Sequence, residues 1–555
     1  MTVKKAKQIK IISLGGVDES GKNMYLVEVD EDIYILDAGL MFPEDELLGI
    51  DVVIPDFKYL EENKERVRAI FLSHGHEDAI GALPYLLQKV KAPVYGTELT
   101  IALARAAVRE QRKLRFKNFH VVDDESVLSF RKIDVRFFQT THTIPDSVGI
   151  VLETSEGAIV YTGDFKFDQS ASDGYQTDLS AISEIGERGV LALLSDSSEA
   201  EHPGATSSDR LIAEEIRHAF RSANGRIIVA CVASNLIRVQ QVLDASERAG
   251  RKVVIVGKEL ERVVDIARDL DKLKMEEELI IPFKEMKKYD DNEITIIETG
   301  HLGEPIQSLQ QMAKGSHPQI NIKIGDTVYI TTTPSPSLET MMAKTIDMLY
   351  RAGAKVLTMS RNLFISGHAS QDDLKLMMNL LRPTYFIPVH GEYRMLISHA
   401  KLANEVGIPK TNVFVISKGD VVEYKNGKMT AGNRVYSGNT LIDGLGVGDV
   451  GNIVLRDRKL LSEDGIFIVV VTLDRKRKKI ISGPEMISRG FIYVRESEHL
   501  IEESAKVVTK IVEKNLEDSE FEWSKLKQDI RDQLNRYLFE QTKRRPMILP
   551  IIMEI

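Results

Sequence analysis

The stretch Ser73-His74-Gly75-His76-Glu77-Asp78-Ala79-Ile80-Gly81 carries two histidines two apart and an aspartate two further on. Imidazole suits Zn, Fe or Mn, and an aspartate adds a hard oxygen donor suited to a second ion. A lone His-x-His describes a pair of surface histidines equally well. The rest of the chain argues against that. Asp37, His142, Asp164, Asp196 and His390 each follow an apolar run, so one polar residue able to bind metal or water recurs at successive strand ends. The C-terminal ends of strands are where α/β sheets keep their sites.

The elements that must position these residues follow from hydrophobic pattern. Residues 67–72 read as a buried strand leading into the His motif. Residues 9–14 form a strand closed by Gly15-Gly16, and 23–29 and 32–36 form two more, the second ending in Asp37-Ala38-Gly39. This is the opening of a sandwich; Gly15-Gly16 is not a phosphate cradle, since no helix pattern follows at once. Residues 83–90 and 98–113 read as amphipathic helices. Strands at 135–138, 158–161 and 190–194 run into His142, Asp164 and Asp196, and 383–389 runs into His390-Gly391-Glu392. From about Thr206 strands at 227–232, 252–257, 294–297 and 327–332 alternate with helical stretches, which predicts an inserted α/β domain. Ser370 with Asp373 predicts an N-terminal cap on a helix over 374–381. The glycine-rich passage from Gly444 to Gly451 reads as a linker before a small α/β tail, with a strand at 465–471, helices at 500–516 and 523–542 and a strand at 547–552. The expected division is 1–205 and 361–443 for the sandwich, 206–360 for the insert, 444–460 for the linker and 461–555 for the tail.

The net charge of −10 disfavours nucleic-acid binding by the protein as a whole but leaves room for a local basic groove. Lys543-Arg544-Arg545 reads as a solvated helix end, with an RNA or partner contact as the alternative. Cys231 is the single cysteine, so an internal disulfide is ruled out and a buried thiol in a reducing compartment is expected. Lys4, Lys5 and Lys7 have no long apolar segment behind them, and no run approaches the ~20 apolar residues of a membrane span. The expected location is the cytoplasm.

Asp37, His74-x-His76-x-Asp78, His142 and Asp164 in that order resemble the metallo-β-lactamase superfamily. Asp196, His368 and His390 resemble the added motifs of its nucleic-acid-processing β-CASP branch. Gly15-Gly16, Pro43 to Asp51, Pro388 to Met395 and Lys543 to Pro550 resemble ribonuclease J, nearly end to end. The resemblance implies an αββα sandwich, an inserted β-CASP α/β domain and a small α/β C-terminal domain. It implies a metal held by His74, His76 and His142, and a second held by Asp78 and His390, with Asp164 bridging. Zinc is the expected ion, with manganese or magnesium as alternatives. Asp78, Asp196 and His368 are the expected catalytic residues, His368 meeting a phosphate and protonating the leaving oxygen. Ala233, Ser234, Asn235, Phe364, Ile365, Ser366, Gly367 and His368 are expected along an RNA track; Ser234 and Asn235 also fit a helix N-cap.

One position departs from the family pattern His-x-His-x-Asp-His: its last residue is Ala79 here. A methyl group cannot bind metal. A four-ligand zinc site is worth ~10–16 kcal/mol, so one ligand accounts for a few kcal/mol, or ~100-fold or more in affinity. A second departure is Thr299-Gly300-His301-Leu302-Gly303-Glu304-Pro305, where a change in the binding track is a better reading than a spare ligand. The whole resembles the weaker of two ribonuclease J paralogues in bacteria that carry both. Such a protein would be an endonuclease with weak 5′–3′ exonuclease activity in RNA maturation, rRNA processing and mRNA decay. The alternative is a largely non-catalytic RNA-binding subunit, in a dimer or tetramer with an active paralogue and with other RNA-decay proteins as further partners.

Overall fold

The computed structural model describes residues 6–555 apart from 44–46, 112–113, 172–174, 301–304, 332–338, 360–365, 445, 494–496 and 519–520. The chain divides into two compact units, Met1–Met41 with Ile54–Asn439, and Phe42–Val53 with Thr440–Ile555.

In the first unit two sheets stack face to face. The larger, among the described residues, orders Lys428–Ala431, Val421–Lys425, Gln8–Gly15, Met24–Val29, Asp32–Leu36, Val67–Phe71, Val94–Gly96 and Phe119–Val121. Its first half is antiparallel, and pairing turns parallel from Asp32–Leu36 onward. Parallel neighbours need crossovers. Helices Leu83–Lys89 and Glu98–Glu110 lie within two of these and bury Leu86, Leu87, Leu99, Ile101 and Leu103. The smaller sheet orders Tyr385–Val389, Val190–Asp196, Gly157–Tyr161, Val148–Thr154, Asp134–Gln139 and Leu128–Ser129. Tyr25, Tyr34, Phe71, Phe137, Tyr161 and Ile387 fill the space between the sheets. The outer face of the smaller sheet is covered through Ile182, Leu374, Met377 and Leu402 of helices Leu179–Arg188, Gln371–Leu381 and Tyr393–Glu405. Burying each such side chain contributes about 1.5–3 kcal/mol. The result is a helix–sheet–sheet–helix sandwich.

Strands Val190–Asp196 and Tyr385–Val389 are paired neighbours in parallel register, with Asp196 opposite Val389. Between them in sequence the chain makes an excursion that builds its own parallel sheet, ordered Lys252–Val256, Ile294–Glu298, Ile227–Ala230, Thr327–Ile330 and Lys355–Thr358, before helix Gln371–Leu381 returns to the sandwich. The inner strands of this parallel sheet are buried along their whole length and mostly apolar, as a sheet covered by helices requires. Cys231 is buried at its centre, and burial pushes the thiol up to about 12, so it stays protonated and inert.

Two local expectations differ from what is found. Ser370 precedes helix Gln371–Leu381 but makes no side-chain cap; its hydroxyl is hydrogen-bonded to Thr206 Oγ1 at 2.7 Å instead. The stretch expected as a linker holds most of a helix, Asn452–Asp464. Gly444 to Gly451 supplies the break, and the following run contains no glycine or proline to prevent a helix.

In the second unit, strands Lys479–Arg489, Ile466–Asp474 and Met547–Glu554 form a sheet packed on helices Glu498–Glu517 and Trp523–Thr542. Among the described residues no helix is long and apolar enough to cross a membrane.

Candidate metal centre

Strand ends from both sheets converge. Asp37 follows Asp32–Leu36, Ser73 and His74 follow Val67–Phe71, and His142 follows Asp134–Gln139. Asp164 follows Gly157–Tyr161, Asp196 ends its own strand, and His390 follows Tyr385–Val389. Asp37 and His390 adopt left-handed backbone, with φ of 60° and 49°. Such conformations carry a cost of order 1 kcal/mol and collect where a side chain must be aimed.

Asp37 is fully buried and accepts from Ser73 N at 2.7 Å, Ser73 Oγ at 2.7 Å and Tyr161 Oη at 2.7 Å. Its part is to fix the loop that starts the His motif. Burial pushes its carboxyl up to about 6, against the opposing pull of His74 and the Ser73 donors.

Each histidine of the first trio spends its N–H on an outward acceptor. His74 Nδ1 is 2.9 Å from Ser73 Oγ, whose own proton goes to Asp37. His76 Nε2 donates to Ser234 O at 3.2 Å, and His142 Nδ1 donates to Gly367 O at 2.7 Å. Burial holds His76 down at about 4 and His142 well below the usual histidine range, so both rings are neutral at pH 7. Lone pairs on His74 Nε2, His76 Nδ1 and His142 Nε2 therefore face one another and Asp164. His142 Nε2 lies 3.1 Å from His76 Nδ1 and 3.9 Å from Asp164 Oδ2, and His74 Nε2 lies 3.5 Å from that same oxygen.

These donors fit a metal ion. His74 Nε2, Asp78 Oδ1 and Asp164 Oδ2 are buried without a hydrogen-bond partner, an arrangement that is costly unless a cation sits among them. Zinc–nitrogen bonds of ~2.0–2.1 Å in a tetrahedron set neighbouring donors about 3.3–3.4 Å apart, within the spread of spacings above.

A second group of donors is thinner. Asp78 Oδ2 is 3.5 Å from His390 Nε2, while His390 Nδ1 donates to Asp164 Oδ1 at 2.7 Å. Ala79, fully buried beside Asp78, contributes backbone contacts only, accepting from Ala38 N at 2.7 Å and donating to His76 O at 3.0 Å. His368 stands apart. Its side chain is 25% exposed, and its Nδ1 is 2.7 Å from Asp196 Oδ2. Burial pulls His368 down, but the Asp196 carboxylate outweighs this and raises it to about 9. Ser198 N and Oγ donate to Asp196 Oδ1 at 2.9 and 2.7 Å, holding that carboxylate toward the histidine.

The structure thus gathers His74, His76, Asp78, His142, Asp164, Asp196, His368 and His390 around one centre. Ser234 and Gly367 reach the backs of His76 and His142 through their carbonyls. A methyl on Gly367 would meet Thr143 Cγ2 at 2.6 Å and His142 Cε1 at 2.9 Å. Asn235 caps helix Leu236–Arg248, accepting from Arg238 N at 3.0 Å; Ala233 is buried; Ser366 donates to Glu199 Oε1 at 3.1 Å. Phe364, Ile365 and His301 lie outside the described residues. Sequence reasoning passed over Asn23 and Tyr25. Asn23 Nδ2 lies 3.4 Å from Asp78 Oδ2, and Tyr25 Oη bonds Asn23 Oδ1 at 3.1 Å and accepts from His390 N at 3.0 Å. The apolar run over 23–29 marks a strand there, not what its first residues touch.

Residues 17–199 match the family model of the metallo-beta-lactamase superfamily, and 224–349 that of the ribonuclease J beta-CASP domain. Residues 356–415 match the Zn-dependent metallo-hydrolase RNA specificity domain, and 453–555 the ribonuclease J C-terminal domain. The chain is 52% identical over 552 residues to the protein named Ribonuclease J 2 of Staphylococcus saprophyticus, covering 100% of this chain and 99% of that one. It is 51% identical over 555 residues to Ribonuclease J2 of Bacillus subtilis, covering 100% of both. A solved structure of an Enterococcus faecalis protein of unknown function shares the fold, with a TM-score of 0.53 and 16% identity over 75% of this chain and 100% of that one.

Proposed function

The chain belongs to the ribonuclease J family of metal-dependent nucleases, and from that premise we propose an RNA phosphodiester hydrolase with one firm metal site and one weakened by Ala79. His74, His76, His142 and Asp164 would hold the first ion, and Asp78 and His390, sharing Asp164, the second. Zinc fits the nitrogen-rich set; manganese or magnesium fits the oxygen-richer one. The bound metal supplies Lewis acidity for hydrolysis of a phosphodiester.

The chain's own residues do the rest. His368, exposed toward solvent and oriented by Asp196, binds a phosphate oxygen of the RNA and delivers a proton to the leaving oxygen. Ser366 fixes the turn before it, accepting from His368 N at 3.1 Å. Ser234, Asn235 and the loop that ends at Gly367 and His368 border the RNA track, with Phe364 and Ile365 in the same segment. The contacts are of a kind that positions phosphates without reading sequence. Endonucleolytic cleavage with weak 5′–3′ exonuclease activity follows from a weakened second site. The observation that carries the reading is the contrast between the His74–His76–His142 trio, with Asp164 Oδ2 3.5 and 3.9 Å from two of its rings, and the thinner Asp78–His390 pair, where the residue after Asp78 is a buried alanine. The test is metal content and RNA cleavage of the protein beside its Ala79→His variant.

A second reading is an auxiliary subunit assembled with an active paralogue. One observation favours it. On the outer face of the second unit's sheet Ile481, Ile487, Leu549, Ile551 and Met553 are 37–51% exposed, an apolar surface of the sort that pairs with another chain. Co-purification with an active paralogue measures this; a chain that is strictly monomeric and solitary at cellular concentration rules it out.

A further inference from the structure

Helix Glu98–Glu110 begins under the metal loop, where Leu103 sits 2.7 Å from the place a β-carbon on Gly75 would take. It then runs away from the centre at 1.5 Å per residue, so Arg109 lies about 9 Å farther along the axis. There Arg105, Arg109, Arg115 and Lys117 line a hollow of about 410 Å3 whose floor includes Leu114 and Phe116. Among the described residues no carboxylate lines it and none of the four cations has an acidic partner. The nearby acid of the helix, Glu110, is instead paired with Arg262 of the inserted domain. Arg105 and Arg109, four apart on one helix, repel by about 0.2–0.5 kcal/mol. The fold thus carries a repulsive cluster in a chain whose net charge is −10.

The aromatic residues give the cluster a direction. Phe119 is buried, with the Arg105 guanidinium 5.5 Å from its ring centre and donating to its carbonyl at 3.4 Å. Phe116 stands edge-on to it, centroids 5.1 Å apart at 88°, and is only half-buried. Cations interleaved with an accessible aromatic ring are how proteins hold single-stranded nucleic acid without reading its sequence, the cations taking phosphates and the ring a base.

We propose that this hollow is a binding patch for single-stranded RNA outside the catalytic cleft, gripping a stretch of the strand whose other end occupies the metal centre. It rests on the reading of the chain as an RNA hydrolase. The patch reads charge and base stacking, so it acts on strand length and not on sequence.

The test uses the full chain and 3′-labelled, phosphorothioate-linked RNA, a 6-mer and a 20-mer, titrated by fluorescence anisotropy over a range of salt. Wild type is compared with R109S/R115S/K117S, with Phe116→Ala and with the charge-keeping R109K/R115K. For the 20-mer the triple variant is expected to flatten the slope of log affinity against log salt by about 2, at ~0.7 per lost single-strand contact. Phe116→Ala is expected to weaken the 20-mer by about 5-fold or more at unchanged slope. The lysine variant keeps the slope, and the 6-mer shows much smaller changes. The three surface cations lie outside the core, so the triple variant is expected to melt as wild type does. An unchanged 20-mer slope in that folded variant overturns the patch while leaving the RNA reading intact. Failure of wild type to bind either oligonucleotide overturns the RNA reading itself.

Discussion

Replacing Ala79 by histidine puts a number on the missing ligand. On the proposed assignment the first ion would have four donors, and the second would have Asp78 and His390 to itself and share Asp164, whose Oδ1 already accepts from His390. A returned imidazole should be worth about 3 kcal/mol of metal binding, or ~100-fold in affinity. The ring must also enter a place where the present side chain is fully buried. Overpacking costs about 1–3 kcal/mol. The variant is therefore expected to be less stable than wild type when stripped of metal and to recover most of that loss when zinc or manganese is added. Elemental analysis after exhaustive dialysis should rise from about one ion per chain to about two, and urea unfolding with and without metal should show the metal-dependent recovery. RNA cleavage should rise alongside. The reasoning fails if wild type keeps two ions through dialysis, or if the folded variant gains none.

Three further outcomes follow from named contacts. Gly367→Ala should push His142 off its line and weaken zinc retention by about 10-fold or more in a chelator competition, since the new methyl meets the ring at 2.9 Å; zinc retention equal to wild type would show the turn can give way. Tyr161→Phe leaves Asp37 one donor short and should lower unfolding free energy by about 1.5–3 kcal/mol, read as a shifted urea midpoint at constant m. Burial raises Glu298 from 4.5 to about 7, so the folded chain keeps a proton that the unfolded chain loses near pH 4.5. Stability contributed by this group is lost as pH rises from about 4.5 to 7, by roughly 3 kcal/mol in total, and Glu298→Gln should flatten that part of the stability profile; an unchanged profile would place the carboxyl in water.

The sandwich, the insert and the tail were legible because their strands are long apolar runs, and Asp37, His74, Asp164 and His390 could be placed from positions one to three residues past such runs, with His76 and Asp78 following His74 in one motif. His142 and Asp164 needed no tertiary information. What stayed hidden acts across the sandwich. Tyr25 and Asn23 meet Asp78 and His390 from strands that sequence distance does not connect. Ser234 and Gly367 contribute backbone carbonyls, which no side-chain pattern marks. The grouping of Phe42–Val53 with the C-terminal unit rests on contacts with residues some 400 positions away. The Ser370 cap went wrong because Thr206, from the far side of the insert, competed for the same hydroxyl.

The carbonyls of Ser234 and Gly367 have a mechanical corollary. Ser234 sits at the mouth of the inserted domain and Gly367 on the return segment, yet each steadies an imidazole of the sandwich. On the function proposed above, a movement of the inserted domain off the sandwich would break the Ser234 tether and free the His76 ring to turn. Admission of substrate and grip on the ion would then be geared together.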